Sequence, residues 1–589
     1  MASAGAIPAV RTLRGVPSEV AYAVLGVLGT VLSCAAATKV SLPVSNDLGL
    51  GAVLPPAYWL GVVSLNVLFV TALRRRSQTW LPVLMLCCLV VTLYGAAAFA
   101  SSAPRAEVAW RHIGIADAVM RTGHIDPSLD AYFNWPGFFA LLAVATKAIG
   151  LPPVDLALWA PVANGLLWLG ALALVVRQLT ADRRRLWLTL WLFCLGNWID
   201  QDYLSPQAFS FFLHLCVLAL LLRYLGAQPA GRPSWRRARL VAWWRTRAPT
   251  EPNASRRLAA LLVAVFLSAV IAASHQLTPF MLLMSATALV ATGRCWSSRF
   301  PLLLAVMLVI WLVYPASAYL AGHPLLNGFG LDAATASNLD SRLQGSPGHL
   351  DVVHLRMVLT GVIWALALVG IVLARRSRTL DPRPLVLAVA PFVLLPTQSY
   401  GGEMLMRVTL FALPFVAFFA AGALLSAGRM FAWWRAAGLA IVCTGLAVMM
   451  VMARFGNARF DMFTPAELEA SGKMYELAPA DAILITSSHP TPWRYREYED
   501  HRSRTIEDAC GPVPDPEECS LLVVAAAKRN GILLMSRSGE AALVMQGAMT
   551  AAGFDRLEQQ IRQRPGVVLM YQNTDARIYR IGPSGPEGS

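Results

Sequence analysis

Charged residues are scarce in this chain of 589 residues, since aspartate, glutamate, lysine and arginine together make up only 14% of it. An ordinary soluble domain carries about 25% charged residues, so the composition excludes a single soluble domain as well as a disordered chain. Hydrophobic residues make up 56% and cluster in blocks about as long as a bilayer is thick. The sequence therefore predicts an all-α polytopic bundle surrounded by membrane lipids.

Acidic residues are also few beside the basic ones, 34 against 49, which gives a formal net charge of +15. The basic surplus lies in short arginine runs between apolar blocks, such as 74–76 and 183–185. This pattern is typical of cytoplasmic loops and accounts for the charge without a nucleic-acid partner. With the N-terminus in the cytoplasm, where Arg11 and Arg14 precede the first block, every arginine-rich loop, including 223–257, falls on the cytoplasmic side.

Zinc-site spacing is missing too, because the 9 cysteines form no CxxC pair and no cluster with histidine. Most of the cysteines lie inside apolar blocks, but Cys510 and Cys519 flank the polar, proline-rich stretch CGPVPDPEEC. A disulfide between these two cysteines is allowed if the region lies outside the cytoplasm.

The apolar blocks predict about 13 transmembrane helices. They are 20–41, 53–73, 80–100, 154–176, 186–200, 207–225, 258–275, 279–293, 299–320, 352–374, 384–396, 405–425 and 436–453. The segment 138–151 contains Lys147 and is interpreted as a helix at the outer interface, not as a span. Three of the blocks are short enough to be tilted, broken or re-entrant, and an even count would place the C-terminus inside.

These blocks divide the chain into a pair of leading transmembrane helices (1–79), a transmembrane core (80–453) with a first outer loop at 101–135, and a C-terminal region (454–582). In that region Thr464-Pro465-Ala466-Glu467 predicts a helix start. Predicted strands lie at 482–485, 521–525, 532–535, 567–571 and 578–581, with helices at 539–552 and 555–562. This alternation predicts a small extracytoplasmic α/β domain, followed by a disordered tail at 583–589.

The first outer loop carries the densest polar chemistry. A helical pattern runs over 107–122 and ends at Gly123, and it places Glu107 and Asp117 on one broad face. The other candidate binding residues of this loop are His112, Asp126, Asp130 and Asn134. A solvated acidic loop beside interfacial aromatic residues is the plainer interpretation.

Three further outer regions offer polar groups at a similar depth. The candidate residues are Asp200, Asp202, Gln207, His275, Gln276, Arg356, Glu403 and Arg407. Charges this close to hydrocarbon tend to mark functional sites, although wet turns and snorkelling arginines would also explain them. Arg407 follows Glu403 by one helical turn, so these two side chains can pair, or the guanidinium can bind a phosphate. Together the four regions predict one site for a lipid-linked anionic substrate.

At these residues the sequence resembles the GT-C superfamily of integral membrane glycosyltransferases, which includes the protein O-mannosyltransferases and the lipid A aminoarabinose transferases. The resemblance rests on the acidic first outer loop, the interfacial helix ending at Gly150 and the C-terminal domain. It also rests on four segments shared with multi-pass actinobacterial proteins: NWPGFF at 134–139, QDYLSPQA at 201–208, SHQLTP at 274–279 and the run from Gly401 to Pro414.

The resemblance implies transfer of a sugar from a polyprenyl-phosphate donor to a glycan, lipid or protein acceptor at the outer face of the plasma membrane. Either Glu107 or Asp117 would then be the catalytic base, because the acidic pair usual in the family is missing after the preceding span. No cofactor is certain, and a divalent metal on Asp200, Asp202 or His275 is an open alternative. A lipid-linked sugar flippase and a non-catalytic scaffold that displays the C-terminal domain are the rival interpretations.

Overall fold

A computed structural model of the chain describes residues 16–227, 248–322, 343–397, 402–426, 432–511, 515–527 and 530–582. Predictions that concern Arg11 and Arg14, most of the arginine loop 223–257, the segment 398–401 and the tail 583–589 fall outside the described residues.

The described part of the first three quarters of the chain is mainly helical. The α-helices are α1 (Val16–Ala37), α2 (Leu50–Val53), α3 (Pro56–Arg75), α4 (Trp80–Tyr94), α5 (Ala96–Ala100), α6 (Glu107–Thr122), α7 (Gly137–Ile149), α8 (Pro153–Leu179), α9 (Arg183–Gly196), α10 (Pro206–Arg223), α11 (Ala254–Ser274), α12 (Thr278–Ala291), α13 (Phe300–Val313), α14 (Ser317–Gly322), α15 (Pro347–Arg376), α16 (Pro382–Val389), α17 (Met404–Leu425) and α18 (Trp433–Arg454). Short 3₁₀ turns cover Ala131–Asn134 and Ala390–Leu394.

Eight of the helices in the described part of the chain are long and apolar enough to cross a membrane, namely α1, α3, α8, α10, α11, α15, α17 and α18. The other predicted spans overlap the shorter helices α4, α9, α12, α13 and α16. Exposed apolar side chains such as Phe266 and Ile441 cover the outside of the bundle, as expected where lipid tails replace water. The chain is therefore a helical membrane protein, and the count of thirteen spans stays a prediction.

The bundle is held together by aromatic packing and by the few polar groups that are paired inside it. The rings of Phe69 in α3 and Trp191 in α9 stack with centroids 3.8 Å apart. The indole N–H of Trp191 donates to Asn66 Oδ1 at 2.9 Å, which satisfies a polar group that would otherwise be costly in hydrocarbon. These contacts fix α3 against α9.

One end of the bundle gathers two of the predicted cytoplasmic arginine runs. Arg184 at the start of α9 donates to the carbonyl oxygen of Leu73 at 3.0 Å and to that of Arg74 at 2.7 Å. Arg183 donates to Thr79 in the same loop. The runs at 74–76 and 183–185 therefore lie at the same end, as the charge pattern predicts.

The C-terminal region adds the helices α19 (Ala458–Asp461), α20 (Pro465–Leu477), α21 (Ile506–Cys510), α22 (Pro516–Ala526), α23 (Arg537–Met545) and α24 (Ala551–Gln563). Its strands are β1 (Ile483–Thr486), β2 (Arg502–Thr505), β3 (Gly531–Ser536), β4 (Val567–Gln572) and β5 (Ala576–Ile581), in the order β2-β1-β3-β5-β4. The strands β2, β1 and β3 are parallel, whereas β5 is antiparallel to β3 and β4.

The alternation of side chains along β1 and β3 gives the sheet two apolar faces. Leu484 and Ile532 pack with Met474 of α20 on one face. Ile485 and Leu533 pack on the other face, in a cluster that also holds side chains of α22 and α24. Helices cover both faces of the sheet, so this region is a small α/β unit.

Two predictions in this region were wrong. The apolar run predicted as a strand at 521–525 is part of α22, because Asp515 caps the backbone N–H groups of Glu517 and Glu518 and Pro516 occupies the first helical position. The predicted helix at 539–552 ends early at Met545, and α24 starts only at Ala551. Cys510 of α21 and Cys519 of α22 form a disulfide.

Candidate active site

The helix α6 covers the predicted range 107–122 and carries the first group of site residues. It ends at Gly123, which adopts the left-handed conformation with φ 71°. Glu107 lies in its first turn and is partly buried. Burial raises the pKa of Glu107 to about 7, against the opposing effect of the Arg111 and Arg494 guanidinium groups. The carboxylates of Glu403 and Glu507 raise it further. Glu107 is thus a carboxyl group that titrates near neutral pH.

The C-terminal domain packs directly on α6. A Cβ atom at Gly114 would collide with the carbonyl oxygen of Arg494, so only glycine lets the loop after β1 approach this closely. On the next turn Trp110 donates its indole N–H to Pro104 at 3.0 Å and its ring meets that of Tyr495. This contact brings Arg494 and its neighbours to the first outer loop.

Asp130 ties the first outer loop to both α6 and the C-terminal domain. It accepts from Arg111 Nε at 2.9 Å, from Arg494 Nη2 at 3.4 Å and from the hydroxyl of Tyr498. Burial by itself raises the pKa of Asp130, but the Arg111 guanidinium and the backbone N–H of Tyr132 outweigh it and lower the pKa below its ordinary value. Asp130 is therefore an ionised anchor of the loop.

His112 lies one residue beyond Arg111 and is completely buried. Its Nδ1 lies 2.8 Å from the carbonyl oxygen of Leu204, and its ring contacts those of Tyr132 and Tyr203 with centroids 4.9 and 5.9 Å apart. Burial lowers the pKa of His112 to about 3, so the ring is neutral at physiological pH. In the described part of the chain its Nε2 has no hydrogen-bond partner.

Arg407 meets this group from α17. It pairs with Glu403 one helical turn earlier. Burial lowers the pKa of both His112 and His275, and the positive charge of Arg407 lowers it further. His275 Nδ1 accepts from the backbone N–H of Thr278 at 3.1 Å, so the imidazole also closes the turn between α11 and α12. The half-buried Gln276 follows in the same turn.

These side chains come from five separated segments of the chain and lie within electrostatic reach of one another at the end of the bundle opposite the arginine runs. We call them the polar centre: Glu107, Arg111, His112, Tyr132, Tyr203, His275, Glu403 and Arg407.

Asp200 and Asp202 belong to a neighbouring ion-pair network and not to the polar centre. Arg454 at the end of α18 lies 2.5 Å from Asp202 and 2.7 Å from Asp200, and Arg105 pairs with Asp200 and, at 2.5 Å, with Asp461. Asp200 adopts φ 61°, a left-handed conformation that aspartate tolerates in a tight turn. Both aspartates are thus held by guanidinium groups.

The remaining candidates are spread out. The partly exposed Asp117 pairs with Arg121 at 2.9 Å, and the partly exposed Asp126 accepts from the backbone N–H of Ser128. Asn134 is buried and donates to the carbonyl of Ala131 at 3.2 Å. Of the two acids proposed as base, Glu107 alone belongs to the polar centre.

Gln207, near the start of α10, is buried, and in the described part of the chain neither its side-chain oxygen nor its nitrogen has a hydrogen-bond partner. An unpaired buried amide costs about 1–3 kcal/mol, so a water molecule or ligand is expected at this position. Gln207 follows the Tyr203–Leu204 segment that contacts His112, which places it beside the polar centre.

Arg356 lines a cavity of about 1010 Å³ between α15, the start of α17 and the C-terminal domain. Its Nε donates to the carbonyl oxygen of Ala453 at 2.9 Å and its guanidinium lies over the ring of Trp198. Gly402 also lines the cavity, whereas the next residue, Glu403, belongs to the polar centre. The cavity and the polar centre therefore adjoin across the first turn of α17.

Sequence reasoning missed the basic partners of the predicted acids, namely Arg105, Arg111, Arg454 and Arg494, together with Tyr498 and Glu507. The signal available for two of them is the aromatic and basic run PWRYREY at 492–498, which is unusual directly after a buried strand.

A divalent metal finds no ligand set in the described residues, which contain no group of three or more histidine, cysteine, aspartate or glutamate side chains arranged to hold an ion. Asp200 and Asp202 are engaged by Arg105 and Arg454, and the Nδ1 of His275 is engaged by Thr278. These donors do not fit the metal site considered from the sequence.

No model of a known protein family matches the chain, and no curated protein is similar to it in sequence. Among solved structures it is similar to the apo oligosaccharyltransferase of Archaeoglobus fulgidus, at 13% identity over 89% of this chain and 74% of that one, with a TM-score of 0.48. It is similar to ArnT from Cupriavidus metallidurans bound to undecaprenyl phosphate, at 13% identity over 81% and 94%, with a TM-score of 0.44. It is also similar to the mycobacterial arabinofuranosyltransferase AftD, at 13% identity over 85% and 42%, with a TM-score of 0.45. These structural neighbours are GT-C glycosyltransferases.

Proposed function

We propose that this chain is an inverting membrane glycosyltransferase that moves a sugar from a polyprenyl-phosphate donor to an acceptor hydroxyl at the outer face of the plasma membrane. The observation that carries the proposal is the polar centre, where the partly buried carboxyl of Glu107, with a pKa of about 7, shares one site with the Arg407 guanidinium beside the ends of apolar helices.

Glu107 is proposed as the catalytic base. A hydroxyl is a weak nucleophile, and a carboxylate that removes its proton in the transition state contributes about 10²–10⁴ in rate. A base is most effective when its pKa lies near the working pH, and burial brings the pKa of Glu107 to about 7. Asp117, the rival base, is partly exposed and pairs with Arg121 outside the polar centre.

Arg407 is proposed to stabilise the leaving phosphate. In the reaction the acceptor oxygen forms a bond to the anomeric carbon while the bond from that carbon to the phosphate oxygen breaks. The acceptor proton passes to Glu107 and the electron pair leaves with the polyprenyl phosphate. A guanidinium suits a phosphate because its N–H groups form a planar fork. Arg407 reaches the site from α17, where it pairs with Glu403.

The proposed orientation places the polar centre and the C-terminal domain outside the cytoplasm. The arginine runs 74–76 and 183–185 contact each other at the opposite end of the bundle, and such runs favour the cytoplasmic side. A disulfide between Cys510 and Cys519 is consistent with an oxidising compartment.

Separate E107Q and D117N variants test the proposal in reconstituted vesicles supplied with a polyprenyl-phosphate sugar and native membrane lipids as acceptors. We expect E107Q to reduce transfer by about 10²–10⁴ and D117N to leave it near the parent rate. If E107Q transfers sugar at the parent rate at equal protein levels, Glu107 is not the base. Movement of the donor across the bilayer without formation of a glycosidic bond would favour the flippase instead.

A further inference from the structure

The cavity beside the polar centre has walls of two different kinds. One stripe of α15 contributes His349, Val353, Arg356, Met357, Thr360, Gly361 and Trp364, and Leu405 and Met406 of α17 face it. Residues of the C-terminal region, including Asn457, Glu507 and Gln546, form another wall. The wall along the membrane helices is mixed, because apolar side chains alternate there with His349, Arg356 and Thr360, and the wall under the C-terminal domain is polar.

The cavity lies on a different face of α15 from the closest contact between α15 and α17. Farther along the pair the helices touch, since a Cβ atom at Gly370 would collide with the carbonyl oxygen of Phe419. Around Gly361, in contrast, no heavy atom of the described residues lies within 4 Å of the position of a Cβ atom. Gly361 lies nine residues, about two and a half helical turns, before Gly370, so its open space is on the opposite side of α15 from the contact with α17.

The cavity is open on the side that faces lipid. Met357 and Gly361 are exposed although both line the cavity, and α15 is the least buried of the eight long apolar helices. The cavity-lining residues of α15 from Arg356 to Trp364 extend over about 12 Å along the helix axis, at about 1.5 Å per residue. A chain of apolar carbons can therefore enter between Met357 and Gly361 and lie against Trp364.

The wall under the C-terminal domain offers hydrogen-bond acceptors, while the α15 wall also carries the guanidinium of Arg356, whose Nε donates to Ala453. Asn457 Oδ1 is buried and has no hydrogen-bond partner in the described part of the chain, so it can accept a hydrogen bond from a ligand. The carboxylate of Glu507 is fixed by the hydroxyl of Ser488 at 2.8 Å and repels a negatively charged head group. Sugar hydroxyls supply the donors that an amide oxygen and a carboxylate need.

From this arrangement we infer that the cavity binds the acceptor, and that the acceptor is a lipid-anchored glycan with a hydroxyl-rich head. The inference rests on the proposed function, in which the acceptor receives the sugar. A head group in the cavity lies next to Glu403 and within the electrostatic reach of Glu107. The donor phosphate occupies the other face of α17, at Arg407.

The probe for the test is a long-chain alkyl glucoside that carries a photoreactive diazirine in its chain, added to the full-length protein in lipid nanodiscs. We expect cross-links on the stretch of α15 between Val353 and Trp364. G361W fills the open space around Gly361 and should reduce labelling roughly tenfold or more, a loss of about 1.4 kcal/mol in binding. The matched control is G445W, because Gly445 of α18 is also exposed and also has no described heavy atom within 4 Å of its Cβ position.

Competition identifies the head group. We expect an unlabelled alkyl glucoside to displace the probe better than the corresponding alkyl alcohol, and N457L to abolish that preference. Equal labelling of G361W and G445W, or equal displacement by the alcohol, would overturn the inference. Stronger displacement by farnesyl phosphate than by the glucoside would assign the cavity to the donor lipid and would equally overturn it.

The E107Q variant separates this inference from the proposed function. It should bind the probe like the parent protein while it loses transfer, because Glu107 is not among the cavity-lining residues. Transfer that persists in E107Q refutes the proposed base but leaves the labelling result intact. Labelling that fails in the parent protein while E107Q loses transfer refutes the acceptor cavity alone.

Discussion

The buried pair between Arg454 and Asp202 offers the sharpest test of the packing at the end of the bundle that carries the polar centre. The two side chains are 1% and 0% exposed, and the guanidinium binds the carboxylate through two hydrogen bonds of 2.5 and 3.1 Å. Replacement of Arg454 by methionine keeps the volume but leaves the Asp202 carboxylate buried without its main cation. Removing one partner of a buried pair costs about 3–5 kcal/mol, which is a large fraction of the stability of most domains.

Thermal unfolding of the purified protein in nanodiscs measures this effect, with K473M as the control. Lys473 pairs with Glu476, but the side chains are 43% and 56% exposed, so loss of this pair should cost at most about 1 kcal/mol. The double variant D202N/R454M should regain stability relative to R454M, because it leaves no unpaired buried charge. If R454M unfolds at the same temperature as K473M, the pair is not a buried structural contact and the reasoning fails.

Two further predictions concern Glu107 and the disulfide. Burial raises the pKa of Glu107 to about 7, and a base acts when it is deprotonated. The transfer rate should therefore rise about tenfold per pH unit below pH 7 and level off above it. A parent rate that does not change between pH 5 and 7, or a pH dependence that persists in E107Q, would contradict this role. Cys510 and Cys519 are 9 residues apart, and a disulfide that closes a loop of this size contributes about 2–3 kcal/mol to stability. Reductant should therefore lower the midpoint of thermal unfolding in the parent protein but not in C510S/C519S. Equal shifts in both proteins would show that the bond does not stabilise the fold.

Local sequence patterns identified the elements whose signals are short-range. The helix from Glu107 to Thr122 and its stop at Gly123 follow the periodicity and the terminal glycine. The predicted start at Thr464 is present as a capping box, in which the backbone N–H of Thr464 donates to Glu467 Oε2 at 3.0 Å. These features depend on residues within one or two helical turns of each other, so the sequence contains all the information that they need.

Long-range pairing limited the prediction of the site. Asp200 and Asp202 look like free ligands in the sequence because Arg454, which neutralises Asp202, lies 252 residues away. Likewise, nothing near Asp130 predicts Tyr498, which is 368 residues away. The sequence predicts which polar groups are expensive to bury, but only the packing of distant helices decides whether such a group meets an ion-pair partner or substrate.

Secondary structure was misjudged where burial and periodicity disagreed. A short apolar run such as 521–525 fits a buried strand as well as a helix, and the capping aspartate at 515 decides the outcome. The strand Arg502–Thr505 was missed for the opposite reason, since its residues are polar and partly exposed at the edge of the sheet. Edge strands of this kind carry little hydrophobic signal.

The length of α15 has a mechanical consequence. Its 30 residues span about 45 Å, whereas the hydrocarbon layer of a bilayer is about 30 Å thick. In the proposed orientation the surplus turns, which carry Asp351 and His354 near the N-terminal end of the helix, extend beyond the lipid as a rigid post. The backbone N–H of Ser346, at the top of the post, donates to Met545 at 2.9 Å. A thicker or thinner bilayer would therefore tilt the post and shift the height of the C-terminal domain over the membrane surface.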